Sequence, residues 1–300
     1  MKKTTAFILT AILFLSILTF PVSAAGKKIS CNYISQVNSY PTGCESVTTV
    51  MALRHVGIDI SVNSFIDNYL AKAPNPYYQN GVLVGYHPDK YFIGSPYNSY
   101  SYGCYSSVIY NALIKFVDQT EYSVEKHNGV SLQYLCENYI DKDCPVILWA
   151  TMSMRNAWVN VSWIDLETGN NFNWIAPEHC LLLVGYDDNY YYFNDPLVSD
   201  GWQKAYSRSS VEKAYNALGQ QSVVVKRKEK PKVYPVIVDL NGDEIFDDQD
   251  AIYLLFNFYF PDKYPVERNC DFDNSGSITD QDAIYLLYYY YFPDKYPVSE

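Results

Sequence analysis

The residues most able to do chemistry lie in Tyr40-Pro41-Thr42-Gly43-Cys44-Glu45-Ser46, followed by Val47, Val50 and Met51 at helical spacing. Pro41 and Gly43 mark a turn, and Thr42 with Glu45 makes a Thr-x-x-Glu capping box, so the spacing predicts a helix from Thr42. Cys44 then sits in the first helical turn. Free N–H groups and the positive end of the helix dipole favour an anion there, so the thiol is expected to ionise readily and act as a nucleophile. Most single cysteines are instead small buried hydrophobes. A nucleophile needs a base and a group that orients the base.

Four histidines are available. His55 follows Cys44 by eleven residues on the same helix and cannot reach it. His87 and His127 lie in loop-like sequence with no orienting partner nearby. His179 opens an apolar strand, Cys180 to Val184, and Asp195 follows a second strand, Tyr190 to Phe193. A hairpin turning at Asp187-Asp188-Asn189 sets Asp195 across from residues 179–181. Side chains alternate, so 179, 181 and 195 share one face and Asn194 takes the other, provided no bulge intervenes. Asp195 is therefore the expected orienter, and Cys180 points into the core. Gln36, eight residues before Cys44, could give its side-chain amide to a developing oxyanion, with the Cys44 N–H as second donor. Taken singly, these are also an ordinary strand-end histidine, a turn aspartate and a polar loop residue.

A second chemistry lies in the tail. Residues 248–266 recur at 280–298, an offset of 32, with sixteen of nineteen positions identical. Each copy follows a carboxylate-rich dozen. Asp239, Asn241, Asp243, Asp247 and Asp250 take positions 1, 3, 5, 9 and 12 of the first loop; Asp271, Asp273, Ser275, Thr279 and Asp282 take them in the second. Ile245 and Ser277, at position 7, would add backbone carbonyls. Calcium takes six to eight oxygens, and alternating side chains on a tight loop converge on one such ion. A solvated acidic turn explains one copy but not two in register. Position 6 is Gly276 in the second loop but Glu244 in the first, which must turn sharply without glycine.

The elements that must position these groups fill two domains. Residues 30–225 read as one mixed α/β domain. Helices are expected at Ser64–Leu70, Val108–Phe116 and Ser131–Tyr139, a long ordered loop over 73–103, a buried strand at Pro145–Ala150 and a closing strand at Gln221–Val225. Residues 226–235 are polar and read as a linker, and 236–300 hold the two loop–helix units. Residues 1–24 read as a secretory signal: Lys2 and Lys3, an apolar run from Ala6 to Phe20, and a small-x-small site at Val22-Ser23-Ala24. No cysteine there offers a lipid anchor, and the run is too short to span a bilayer. The mature chain is thus expected to be secreted.

The net charge of −11 lies wholly in the tail, where fourteen Asp and Glu from Val236 onward face three Lys and Arg. That excludes a basic nucleic-acid surface and fits cation binding. Seven cysteines, an odd number, leave at least one thiol outside any intramolecular bridge, and no Cys-x-x-Cys pair supports zinc.

Seven stretches occur in order across 30–225: Tyr33-Ile34-Ser35-Gln36, Gly43-Cys44-Glu45-Ser46, Phe92-Ile93-Gly94-Ser95-Pro96, Tyr102-Gly103-Cys104-Tyr105, Glu178-His179-Cys180-Leu181, Val184-Gly185-Tyr186-Asp187-Asp188 and Asn194-Asp195-Pro196. Together they resemble the papain-like cysteine peptidases, specifically the double-glycine (bacteriocin-processing) group and its stand-alone relatives. The resemblance implies an α+β papain-like fold, with Gln36 as oxyanion donor, Cys44 as nucleophile, His179 as base and Asp195 as its orienter. Leader-cleaving members are fused to transporters. This chain has neither a membrane span nor a Gly-x-x-x-x-Gly-Lys phosphate loop, so export-coupled processing is not expected.

The tail resembles a dockerin, with Asp rather than Glu at position 12 as a shared mark. That implies a small all-α domain holding two calcium ions and binding a cohesin module on a scaffoldin, as in cellulosomes. Positions 10 and 11, here Asp248-Gln249 and Asp280-Gln281, help choose the cohesin in that family. Two other functions remain open: a papain-like amidase or acyltransferase acting on cell-wall peptides, and a scaffold-borne binding module with a silent cysteine.

Overall fold

The structure is a computed structural model and describes residues 26–228, 238–267 and 269–298. The expected signal segment and the linker residues 229–235 fall outside them. The chain divides after Lys228 into two compact units.

In the first unit, β1 (Lys27–Lys28) precedes α1 (Cys44–His55) and α2 (Val62–Asn68). Four short strands follow, β2 (Lys72–Ala73), β3 (Tyr77–Gln79), β4 (Val82–Gly85) and β5 (Phe92–Ile93), then α3 (Ser106–Phe116), β6 (Tyr122–Asn128) and α4 (Leu132–Asn138). Next come β7 (Val146–Thr151), β8 (Trp158–Asp165), β9 (Asn171–Ala176), β10 (Glu178–Tyr186) and β11 (Tyr190–Asn194). β12 (Lys204–Ser207), α5 (Arg208–Ala217) and β13 (Gln221–Arg227) close the unit, which is α+β.

The main sheet runs β12-β11-β10-β7-β13-β6, with β1 added beside β10, and every pairing is antiparallel. β7 and β10 are buried along their whole lengths, the burial their continuous apolar runs call for. α1 packs on them and is itself buried from Cys44 to Leu53. Its inward threonines are satisfied: the Thr48 hydroxyl donates to the Cys180 carbonyl at 3.2 Å and Thr49 to the Glu45 carbonyl at 2.6 Å.

Several expectations change. α1 starts at Cys44 with Gly43 as N-cap and no side-chain cap, so the Thr42–Glu45 capping box does not form. The Thr42 hydroxyl is taken by the carbonyls of Ser95 and Asn98, and the Glu45 carboxyl turns inward to the Cys104 N–H. Gly43 is needed for close approach, because a Cβ there would lie 2.8 Å from that of Tyr40. Residues 73–103 are not one loop: they contain β3, β4 and β5, and β4 joins the hairpin of β8 and β9 in a second sheet ordered β3-β4-β8-β9. Lys226 and Arg227 belong to β13, paired with Ser123 and Tyr122, so the domain reaches further than the polar sequence suggests.

The second unit holds α6 (Asp248–Tyr259) and α7 (Asp280–Tyr291), packed on each other over Val238, Leu254, Phe272 and Leu286. Asp247 and Thr279 are their N-caps, each closing a capping box with the carboxylate of Asp250 or Asp282. Glu244 does make the sharp turn without glycine, at φ 68°, where Gly276 has φ 90°.

Candidate active site

Gln36, Cys44, Tyr102, Trp174, Glu178 and His179 line one cavity of about 380 Å³. Cys44 is brought there by the first turn of α1 and His179 by the start of β10. His179 Nε2 lies 2.8 Å from Asp195 Oδ1, and both side chains are almost wholly buried. That bond occupies Nε2 and leaves Nδ1 as the nitrogen able to take a proton. The Asp195 carboxylate also accepts from the Tyr206 hydroxyl at 2.7 Å and the Leu197 N–H at 3.1 Å. Burial works against its charge, yet the His179 bond and these donors hold the carboxyl below its ordinary range.

The pairing of His179 with Asp195 depends on a bulge that the sequence does not reveal. The hairpin pairs Tyr186 with Tyr191, so its loop is one residue longer than expected. In unbroken register Asp195 would then fall opposite Leu182, on the face away from His179. The register instead shifts between Leu183 and Gly185, and Leu182 pairs with Asn194. That shift brings Asp195 into phase with residues 179 and 181. Asn194 faces inward, giving its amide to the Cys31 carbonyl at 3.2 Å and accepting the Gln203 N–H at 3.0 Å.

A family model described as the Peptidase_C39 like family matches residues 28–223. The chain belongs to that family. The uncharacterised protein YvpB of Bacillus subtilis (strain 168) is 29% identical over 187 residues, which are 62% of this chain and 69% of YvpB. A crystal structure from Bacillus anthracis, of a candidate C39-like peptidase, matches with a TM-score of 0.57 at 21% identity, over 68% of this chain and 99% of its own. At that identity the likeness speaks for the fold, a papain-like cysteine-peptidase type.

Within this C39-like unit two features depart from the sequence reading. The expected ease of ionisation at Cys44 is reversed: burial, then Glu45, then Glu178 push its thiol well above the ordinary 9.0. The helix terminus does not offset a buried sulfur beside two carboxyls. Gln36 is buried with its Nε2 turned onto the carbonyls of Tyr40 and Pro41, at 3.3 and 3.2 Å, while its Oε1 meets no partner among the described residues. To receive an oxyanion, that amide must rotate.

Sequence reasoning misses Glu45 and Glu178 as site groups, although both stand in stretches that carry the resemblance, and misses Tyr206 altogether. Glu45 was assigned to a helix cap, and Tyr206 sits on a strand with no motif around it. The other histidines do find partners: His127 bonds the Tyr139 hydroxyl at 2.7 Å and His87 lies 3.5 Å from Asp89, but neither lines the cavity. His55 lies 3.4 Å from Cys31 and bonds the Asp143 carbonyl. Among the described residues no disulfide joins the seven cysteines, and no helix is long and apolar enough to cross a membrane.

In the tail the two loops close by the same bonds. The position-1 aspartates, Asp239 and Asp271, accept the N–H of position 6, from Glu244 at 2.9 Å and Gly276 at 2.8 Å. The position-12 aspartates do the same for positions 2, 3 and 9: Asp250 for Leu240, Asn241 and Asp247, and Asp282 for Phe272, Asp273 and Thr279. Asp243 and Ser275 follow at position 5. Oxygens of Asp271, Asp273 and Asp282 lie within 4.8 Å of one another, a donor set of hard oxygens that suits calcium. Burial raises the Asp250 carboxyl above its ordinary 3.8, with Asp239 adding to the effect. Ile245 and Ser277 are exposed, as are Gln249 and Gln281, while Asp248 and Asp280 are half-buried at the helix starts.

Proposed function

We propose that this chain is a secreted cysteine peptidase that hydrolyses peptide bonds through Cys44, His179 and Asp195. His179 Nδ1 takes the Cys44 proton, and the thiolate attacks the amide carbonyl. The Cys44 N–H and, after rotation, the Gln36 amide receive the oxyanion. The C–N bond breaks as His179 returns its proton to the departing amine, and water, giving a proton to His179, then displaces the sulfur from the acyl group. The observation that carries this reading is the buried 2.8 Å His179–Asp195 bond, with His179 on the wall of the cavity that Cys44 also lines. The raised Cys44 thiol and the turned Gln36 amide favour the rival reading, a binding module with a silent cysteine.

One experiment separates them. The wild type should cleave a peptide library and be alkylated at Cys44 faster than a model thiol at pH 6–7, and C44A should lose both. Cleavage that survives in C44A, or a Cys44 no faster than the model thiol, removes the peptidase reading. Turnover confined to cell-wall peptides would assign the amidase alternative instead.

The tail, in the same proposal, is a dockerin: Asp239, Asn241, Asp243, Ile245, Asp247 and Asp250 hold one calcium ion, and Asp271, Asp273, Ser275, Ser277, Thr279 and Asp282 a second. Asp248, Gln249, Asp280 and Gln281 then face a cohesin on a scaffoldin. The matching bond pattern of the two loops supports this reading.

A further inference from the structure

Glu45 and Glu178 are carboxyls that the proposed reaction leaves unused, and they lie beside its nucleophile. One oxygen of each and Cys44 Sγ are all within 4.8 Å of one another, and all three residues are buried. The sulfur donates to Glu45 Oε2 at 3.3 Å. Glu45 Oε1 accepts the Cys104 N–H at 2.6 Å. Glu178 Oε1 is buried with no partner among the described residues. Gly103 closes over both: a Cβ there would lie 2.6 Å from Glu45 Oε1 and 3.0 Å from Glu178 Oε2.

The ionisable groups around this cluster are few. α1 supplies Cys44 and Glu45, the segment before α3 supplies Cys104 and Tyr105, and β10 supplies Glu178, His179 and Cys180. Asp195 of β11 reaches it only through His179. No lysine or arginine among the described residues pairs with either glutamate. Two carboxylates and a thiolate in so small a buried volume cannot all be charged, because each like charge raises the proton affinity of the others. If Cys44 is to become a thiolate, a carboxyl must hold a proton.

We propose that Glu45 is that carboxyl: it is neutral whenever Cys44 is a thiolate, and its O–H donates to the sulfur across the 3.3 Å contact, while Glu178, unpartnered at Oε1, is neutral beside it. The protons balance. His179 takes the one that leaves the sulfur, the Glu45 proton stays on Glu45, and the only new charges are the thiolate and the imidazolium. Burial, which comes first, holds the Glu45 carboxyl up at about 7 against its ordinary 4.5, and burial followed by Glu45 raises Glu178 well above the same value. The device rests on Cys44 being the nucleophile, as proposed above.

The test is the pH profile of Cys44 alkylation, read by mass spectrometry, in the wild type, E45Q and E178Q. Glutamine keeps a donor at position 45 but cannot ionise. The ratio of the E45Q rate to the wild-type rate should therefore rise about tenfold between pH 6 and pH 8, as the wild-type carboxyl loses its proton one unit past its titration point. In E178Q the wild-type break should remain near the same pH, and its loss there would assign the proton to Glu178 and overturn the proposal. In the wild type itself, infrared spectra at pH 6 should carry a protonated-carboxyl band that E45Q lacks. A purely packing role would scale each profile by a constant, and E45Q and wild-type profiles that stay parallel, or no such band, overturn the proposal. A Cys44 that reacts no faster than a free thiol overturns this and the peptidase reading together; fast but parallel profiles overturn this one alone.

Discussion

At the scale of single residues, the site is a set of charges held against burial. Asp195 keeps its charge through several donors, and Y206F removes one of them, a hydrogen bond to a charged group. We expect kcat/KM of Y206F to fall roughly tenfold, with the acid limb of its pH profile moved up as the Asp195 carboxyl rises. Glu45 leaves a mark on stability as well. Its carboxyl titrates at about 7 in the fold and near 4.5 when unperturbed, so between those values the folded chain holds a proton that the unfolded chain has released. Stability should therefore fall as pH rises from about 4.5 to about 7. Asp195 has the opposite sign: held below 3.8, it stabilises above that value and loses this as pH falls from there through its lowered folded-state value, so its contribution is level across the upper window. Chemical denaturation of wild type and E45Q across pH 4.5–7.5 checks the slope, which should be shallower in E45Q. The contact of His179 with Asp195, and the place of Cys44 and His179 on one cavity, are legible in the sequence because cysteine and histidine are rare here and stand at telling places. Glu45 was misread because a Thr-x-x-Glu spacing fits a cap equally well, and only the Cys104 N–H shows where its carboxyl goes.

At the scale of elements, periodicity served where one face or the whole strand is buried. β7 and β10 were readable as apolar runs, and α2, α3 and α4 lie within two residues of their expected bounds. β3, β4, β8 and β9 were not. Their sheet exposes Tyr78, Trp158 and Val159, which blurs its apolar alternation. β3 turns into β4 at Asn80-Gly81, a hairpin signal that a loop over 73–103 passes over, and only the parallel β4–β8 pairing spans a long sequence gap. The hairpin of β10 and β11 carries the sharpest lesson: the expected partner of His179 was right, while the stated condition, an unbulged ladder, was not. In the second unit the duplication made both loops legible, and it exposes one local cost. Glu244 holds a left-handed φ of 68° where its counterpart is Gly276. E244G should raise the stability of the second unit by about 1 kcal/mol, since a side chain in that region costs about that much. Thermal unfolding followed in that unit reads the gain, and an unchanged or lower midpoint contradicts it.

At the scale of the whole molecule, the two units have separate cores, one built on the main sheet and one on α6 and α7. In calcium two unfolding transitions are expected, and EDTA should abolish the second unit's transition and cohesin binding while leaving the peptidase-like transition in place. Circular dichroism and calorimetry with and without chelator would check this, and a tail whose signal ignores EDTA contradicts the calcium loops. The extra residue between β10 and β11 also bears on how this chain can change length. Removing Asn189 alone would leave the ladder one step out unless the kink at Val184 straightened at once, and an unstraightened ladder would offer His179 an amide from Asn194 in place of a carboxylate. Single-residue gains and losses in that loop are thus tied to a site at the far end of the same hairpin, and length variants should survive only with a matching change in the kink.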